Sequence, residues 1–302
     1  MNQVTIKNNF ITLTVLDYGA IIQKMILKNT DGVDTNVVVG YEEPEKYLTD
    51  NKALGACIGR YAGRISNSGF KINNVNYPIF SKDGVHLHGG QKGFGKRFWT
   101  IEQVQDGENP FVQLSYLSQD MEEGYPGNLK STVTYKLVGP SLFIIHEATT
   151  DKATPVNLTN HSYFNLDGAE TIDHWDLRLS CPEYLETDAK LLPTGKIVSV
   201  KNSKYDFLEM KKIGQVRLDT PFVMDSSLNN GTVLTSDKSG LSMEVLTNQP
   251  GVVVYTPAAF AAICFETQNF PDAPNQPHFP NSILQPGETY HNESEFRFSF
   301  VN

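Results

Sequence analysis

Glu266 is the carboxylate whose sequence setting best suits moving a proton. It closes the apolar run Phe260 to Phe265 and is followed at once by Thr267-Gln268-Asn269-Phe270-Pro271-Asp272-Ala273-Pro274-Asn275-Gln276-Pro277. A carboxylate at a strand end, directly before a loop of amide side chains and prolines, fits proton transfer to a polyhydroxylated ligand. The amides can hydrogen-bond hydroxyls, and the prolines hold the loop without needing backbone donors. The competing reading takes Pro271, Pro274, Pro277 and Pro280 as a polyproline II ligand for a partner domain. Aromatic and strand-like sequence flanks the run on both sides, which places it in a packed domain rather than a tail.

A partner for such a carboxylate lies in Asn157-Leu158-Thr159-Asn160-His161-Ser162-Tyr163-Phe164-Asn165-Leu166. His161 can give or take a proton near neutrality, since the unperturbed imidazole titrates at about 6.5. Tyr163 adds an aromatic surface and a hydroxyl, a combination suited to a sugar ring. By itself the segment also fits a hydrogen-bonded structural histidine. In Val85-His86-Leu87-His88-Gly89-Gly90 the two histidines alternate, so on a strand both rings point to one face. That is a possible metal arrangement, but no third ligand follows at a recognisable spacing, and no metal is expected. His88, before two glycines where backbone can approach closely, serves equally as a donor to a ligand hydroxyl. Gly90-Gln91-Lys92-Gly93-Phe94-Gly95-Lys96-Arg97 matches a phosphate-loop spacing until Arg97 replaces the magnesium-binding Ser or Thr, and it is rejected. Arg64, in Gly59-Arg60-Tyr61-Ala62-Gly63-Arg64-Ile65, can donate paired hydrogen bonds to vicinal hydroxyls or form a structural ion pair. Asp219, alone, would be an ordinary turn aspartate.

The elements that must position these groups are strands. Ile11, Leu13 and Val15 alternate with threonines; Val112, Leu114 and Tyr116, then Leu241, Met243 and Val245, then Phe296, Phe298 and Phe300, repeat the period of two. Turn signals separate them at Asp31-Gly32, Asp83-Gly84, Asp106-Gly107, Asn230-Gly231 and Pro286-Gly287. Helical periodicity is confined to Pro44 to Leu48 and Phe207 to Ile213, and no βαβ rhythm argues for a parallel sheet. The sequence therefore predicts an all-β fold: a single large antiparallel β-sandwich spanning residues 1–302 as one domain.

Composition narrows the partners. The 34 acidic against 25 basic side chains leave a net charge of −9, which disfavours nucleic acid and anionic membranes. There is no apolar run long enough to span a bilayer and no apolar leader at the N-terminus. Cys57, Cys181 and Cys264 are scattered and odd in number, as free thiols of a reducing compartment would be, so a cytoplasmic location is expected. Sequence does not separate a monomer from a homodimer.

Taken in order, six segments resemble the aldose 1-epimerase (galactose mutarotase) family. They are Gly59-Arg60 with Gly63-Arg64-Ile65, Leu87-His88-Gly89-Gly90, Gly124-Tyr125-Pro126-Gly127, Asn157 to Leu166, Asp219 with Pro221-Phe222, and Glu266 to Pro277. The resemblance implies a galactose-mutarotase-like β-sandwich that interconverts the anomers of a hexose such as galactose or glucose, without cofactor or metal. It makes Glu266 the general base and His161 the general acid, with Arg64, His88 and Asp219 as sugar-hydroxyl ligands and Tyr163 beside the acid. Gly63 stands where many members have Asn, Thr220 where many have His, and Val253 where some use Gln to touch the sugar; these departures bear on the hexose preferred. A hexose 6-phosphate epimerase and a non-catalytic sugar-binding protein are the alternatives on the same fold. The chemistry itself needs one group to take the C1 hydroxyl proton and one to protonate the ring oxygen. A carboxylate near the histidine is expected to favour imidazolium, which would assign the acidic limb of a bell-shaped pH profile to Glu266 and the basic limb to His161.

Overall fold

The computed structural model describes residues 1–225 and 231–301. A nine-stranded antiparallel sheet runs in the order Thr100–Gln105, Phe111–Ser118, Leu129–Val138, Ser141–Thr150, Tyr290–Phe300, Leu241–Thr247, Thr232–Ser236, Asp176–Arg178, Lys211–Lys212. The predicted alternation becomes its inward face. Val112, Leu114, Leu241, Met243, Val245, Phe296 and Phe298 are buried, whereas Phe300, at the strand's end, is exposed. A four-stranded antiparallel sheet opens the chain, with Ile11, Leu13 and Val15 facing the same core.

The sheet that matters for chemistry has five strands, in the order Pro193–Ser199, Glu183–Thr187, Asp219–Val223, Gly251–Tyr255, Cys264–Gln268. Alternation along its inner strands sorts its two faces. Phe222, Val252, Val254 and Phe265 join the nine-stranded sheet in one core, and Thr267 Oγ1 lies 2.7 Å from Ser294 Oγ of that sheet. The alternate residues Asp219, Pro221, Val253, Tyr255 and Glu266 line a cavity on the opposite side. A shift of pairing by one residue would put Glu266 into the apolar core, so packing of these aromatic and β-branched side chains is what aims the carboxylate.

Helical structure among the described residues is limited to short 3₁₀ turns. Pro44–Thr49 forms one of them. The weak helical pattern over Phe207–Ile213 does not become a helix. Lys211–Lys212 instead pairs with Asp176 and Leu177 at the edge of the large sheet, and the Phe207 carbonyl accepts from Leu179 N. The apolar residues there serve a sheet edge, which overrides a two-turn helical pattern too short to be stable alone. Asn230 of the Asn230-Gly231 signal lies outside the described residues. All three cysteines are free and buried, and no described helix is long and apolar enough to cross a membrane.

His146, on the inner face of Ser141–Thr150, has both ring nitrogens buried without a partner, and burial pushes it down to about 3. An unfolded imidazole binds its proton near 6.5. Between these values the unfolded chain holds a proton that the folded chain lacks, so stability drops as pH falls below about 6.5. His146→Leu is expected to lose less stability between pH 7 and pH 5 than the parent. Urea unfolding midpoints at the two pH values measure this, and equal losses would contradict it.

Candidate active site

The cavity over the five-stranded sheet has a volume of about 440 Å³, within the range of about 300–1,000 Å³ usual for small-molecule sites. It brings together all six residues predicted from sequence: Arg64, His88, His161, Tyr163, Asp219 and Glu266.

Glu266 enters from the central position of the Cys264–Gln268 strand and is only 2% exposed. Opposite it, the segment Asn160–Ser162 is clamped. His161 N donates to the Ala56 carbonyl at 2.9 Å, and the His161 carbonyl accepts from Gly55 N at 3.0 Å. Asn160 Nδ2 donates to the Gly55 carbonyl, while its Oδ1 accepts from Ser162 N and Oγ. This rigid frame brings His161 Nε2 to 3.5 Å from Glu266 Oε1. Glu266 Oε2 is buried without a hydrogen-bond partner. A buried oxygen without a partner costs free energy, a cost that a ligand hydroxyl donating to it would offset.

Burial dominates the titration of both groups. It raises Glu266 to about 8, with the negative charge of Asp219 adding to the rise and Arg64 opposing it. It lowers His161 to about 4 despite the opposing influence of its own backbone, Asp219 and Asp50. At neutral pH the pair therefore holds one proton, and burial keeps it on the carboxyl side. Desolvation of two ions outweighs their mutual attraction here, which corrects the expectation that the carboxylate alone would favour imidazolium. An ion-pair form, with Glu266 ionised and His161 charged, contains the same number of protons; only their distribution differs.

The other ring groups are equally fixed. Gly63 N donates to His88 Nδ1 at 3.2 Å, and His88 N donates back to the Gly63 carbonyl at 3.0 Å. Burial and the neighbouring His161, Arg64 and His86 hold His88 well below its usual value. It is thus a neutral imidazole whose proton sits on Nε2, a donor aimed at a ligand. His86 turns the other way, into the core, with Nδ1 2.7 Å from the Phe80 carbonyl and Nε2 2.6 Å from Tyr125 Oη. The two rings do not share a face because the strand ends at Leu87 and His88 adopts a φ of 50°. His88, His161 and Glu266 instead place their ligand atoms within 4.8 Å of one another. That trio is poorly suited to a metal, because the Gly63 N–H occupies the His88 Nδ1 lone pair and leaves a proton where the metal would bind. Chelator-treated protein, verified metal-free, is expected to keep full activity; loss on chelation with recovery on adding a divalent ion would contradict this.

Arg64 and Asp219 meet across the cavity, with Arg64 NH2 3.2 Å from Asp219 Oδ2. Tyr163 stacks obliquely on His161 with ring centroids 4.9 Å apart. Its hydroxyl donates to the Lys52 carbonyl at 2.8 Å, so its ring rather than its hydroxyl supports the site. The loop after Glu266 differs from expectation in one respect. Its amides hold protein, not ligand: Asn269 Nδ2 donates to the Asn281 carbonyl, and Asn275 Nδ2 reaches the Ser66 and Gly69 carbonyls and Asp272 Oδ1. Asn157 ties this loop to the arginine segment, with Nδ2 donating to Ala62 and Asn269 carbonyls and Oδ1 accepting from Asn269 N. Only Pro271 of the proline series lines the cavity.

Sequence reading passed over Tyr255, whose ring lies 6.2 Å from that of His161, and the Pro257–Phe260 rim. Their signal was register: Tyr255 pairs with Cys264, two residues before Glu266 on the same face. Of the three departures, Gly63 and Val253 line the cavity and Thr220 does not. At Gly63, with φ of 77°, a Cβ would come within 3.0 Å of Pro271 Cγ and 3.1 Å of Gln268 Nε2.

The all-β fold thus sets a buried carboxyl and an imidazole facing each other at the wall of one pocket, two groups able to give and take a proton. Residues 2–297 match the sequence profile of the aldose 1-epimerase family. Human galactose mutarotase is 36% identical, covering 97% of this chain and 93% of its own. Aldose 1-epimerase of Escherichia coli is 32% identical over 98% of this chain and 94% of its own. Among solved structures, an aldose epimerase homologue from C. elegans superposes with a TM-score of 0.94 at 29% identity, covering 100% of this chain and 99% of the other. Galactose 1-epimerase from Lactobacillus acidophilus gives 0.89 at 28%, covering 99% and 95%. The chain belongs to the aldose 1-epimerase family, isomerases that interconvert anomers.

Proposed function

We propose that this protein converts the α and β anomers of a free hexose such as galactose or glucose, using Glu266 as base and His161 as acid, with the whole of 1–302 acting as one unit. The observation that carries this reading is the 3.5 Å approach of His161 Nε2 to Glu266 Oε1 on the wall of the cavity. The C1 hydroxyl donates to Glu266, which stabilises the carboxylate. The pair's proton then resides on His161, which delivers it to the ring oxygen as Glu266 removes the hydroxyl proton. The C1–O5 bond opens, the aldehyde carbon turns its other face, and both transfers reverse. No covalent intermediate with the protein is required.

His88 Nε2–H and the Arg64–Asp219 pair hold the remaining hydroxyls while C1 rotates. Arg64→Ala and Asp219→Ala are each expected to raise KM roughly 10- to 100-fold, the size of a lost charged hydrogen bond. Turnover falls as well, because a loosened sugar leaves the reactive geometry. Parent-like KM and kcat in both variants would contradict these roles.

A sugar-binding protein without catalysis has no use for a buried carboxyl facing an imidazole 3.5 Å away, since binding alone does not need a base opposite an acid. A hexose 6-phosphate is disfavoured because Arg64 is already engaged by Asp219, leaving Lys52 as the remaining cation among the described residues lining the cavity. Polarimetry with galactose, glucose and their 6-phosphates tests the proposal. Catalysed mutarotation of the free sugars supports it; catalysis of the phosphates alone, or of neither, overturns it. The same reading makes the protein a cytoplasmic monomer or homodimer that needs neither nucleic acid nor membrane.

A further inference from the structure

The loop after His88 has the backbone of an anion site, and the protein fills that site itself. Gln91 N and Lys92 N donate to Glu123 Oε2 and Oε1, each at 2.9 Å. Successive backbone N–H groups beside a glycine form a concavity that suits an anion. Here the anion is a side chain from the segment Glu123-Gly124-Tyr125-Pro126-Gly127. A Cβ at Gly90, whose φ is 103°, would collide with that carboxylate. The loop that imitates a phosphate-binding spacing therefore closes on an internal partner.

The same segment grips the chain on the other side of His88. Tyr125 Oη lies 2.6 Å from His86 Nε2, and the Phe80 carbonyl 2.7 Å from His86 Nδ1. A carbonyl only accepts, so Nδ1 carries the ring proton. Burial holds His86 below its usual value and hence neutral, which leaves Nε2 to accept from the Tyr125 hydroxyl. His86 and Tyr125 are both fully buried. His86 in turn pairs with Ile65, and Leu87 with Arg64.

Two further observations make these contacts matter to the site. Met121 and Glu123 both adopt left-handed backbone, with φ of 65° and 51°, a conformation unfavourable for a residue bearing a Cβ and kept only where its surroundings hold it. His88 is left-handed too, with φ of 50°, so the direction of its ring follows from how the chain on each side is held.

We propose that Glu123 and Tyr125 are positioning residues for His88, holding the chain on both sides of it so that Nε2–H stays aimed into the cavity. The inference rests on the reading of His88 as a donor to the sugar. Neither residue lines that cavity, so each acts through the loop and not on the ligand.

The test is a pair of double-mutant cycles read as kcat/KM for galactose. Glu123→Ala empties the concavity, and Tyr125→Phe removes one hydroxyl while keeping the ring. Each is expected to lower kcat/KM about 3- to 30-fold, the range for residues that modulate a site through others. Both changes are then repeated in a His88→Ala background. A group that acts through His88 has nothing left to position there, so the further loss should stay within about twofold. Losses that multiply in full, or parent-like kcat/KM in both single variants, would overturn the proposal and leave the acid–base reading intact. Glu123 is only part-buried, so its cycle decides alone if loss of the Tyr125 hydroxyl unfolds the protein. Parent-like kcat/KM in His88→Ala would instead refute the reading of His88 as a sugar donor, and this inference with it.

Discussion

His161→Asn is expected to lower kcat for anomer interconversion by about 10²- to 10⁴-fold, the range for loss of a positioned general acid. Asparagine keeps a polar amide near Glu266 but cannot deliver a proton to the ring oxygen. Sugar binding should survive, because Arg64, His88 and Asp219 are held by contacts of their own. Combining His161→Asn with Glu266→Gln should cost far less than the product of the single losses, since the two groups act in one event. A fully multiplicative double variant would show that they act in separate steps. Parent-like turnover in His161→Asn would remove the imidazole from the mechanism.

The pH dependence follows from the same pair. On the proposed mechanism the competent state holds one proton between Glu266 and His161. Addition of a second, governed by the imidazole held near 4, switches activity off in acid. Loss of the only proton, governed by the carboxyl raised to about 8, switches it off in base. The profile of kcat/KM is therefore bell-shaped, with limbs assigned in the reverse order from that expected of isolated side chains. His161→Asn should abolish the limb near 4 in the residual activity, and a parent limb unchanged in that variant would contradict the assignment.

Much of this is legible in the sequence because the candidate site residues sit in short, dense segments. Asn157 to Leu166 contains both His161 and the Asn160 and Ser162 that help fix it, and Glu266 follows directly on its apolar run. Alternation at Ile11–Val15, Val112–Leu114 and Leu241–Val245 identified inward faces correctly, since a period of two survives any pairing. Pairing itself did not show. Arg64 and Asp219 are 155 positions apart, and only the register of five strands puts Val253 beside Glu266. His86 and His88 looked like a same-face pair until a left-handed φ at His88 parted them. The amides after Glu266 resembled ligand donors because their composition does not reveal that Ser66, Gly69 and Asn281 would claim them. Lys211–Lys212 became an edge strand for a similar reason: a neighbour distant in sequence supplied the hydrogen bonds.

Glu266→Gln tests most directly whether Glu266 accepts the C1 hydroxyl proton. Glutamine retains the shape and one hydrogen bond yet cannot serve as a base. A folding control comes from linkage. Glu266 is raised from 4.5 to about 8 in the folded protein, so between these values the folded state holds a proton the unfolded state has lost, and stability falls as pH rises. The variant escapes that loss, and its Tm relative to the parent should increase from pH 5 to pH 8. Polarimetry of galactose at neutral pH, corrected for spontaneous mutarotation, should then show kcat reduced about 10²- to 10⁴-fold in a folded, sugar-binding protein; turnover within a few-fold of the parent would contradict the mechanism.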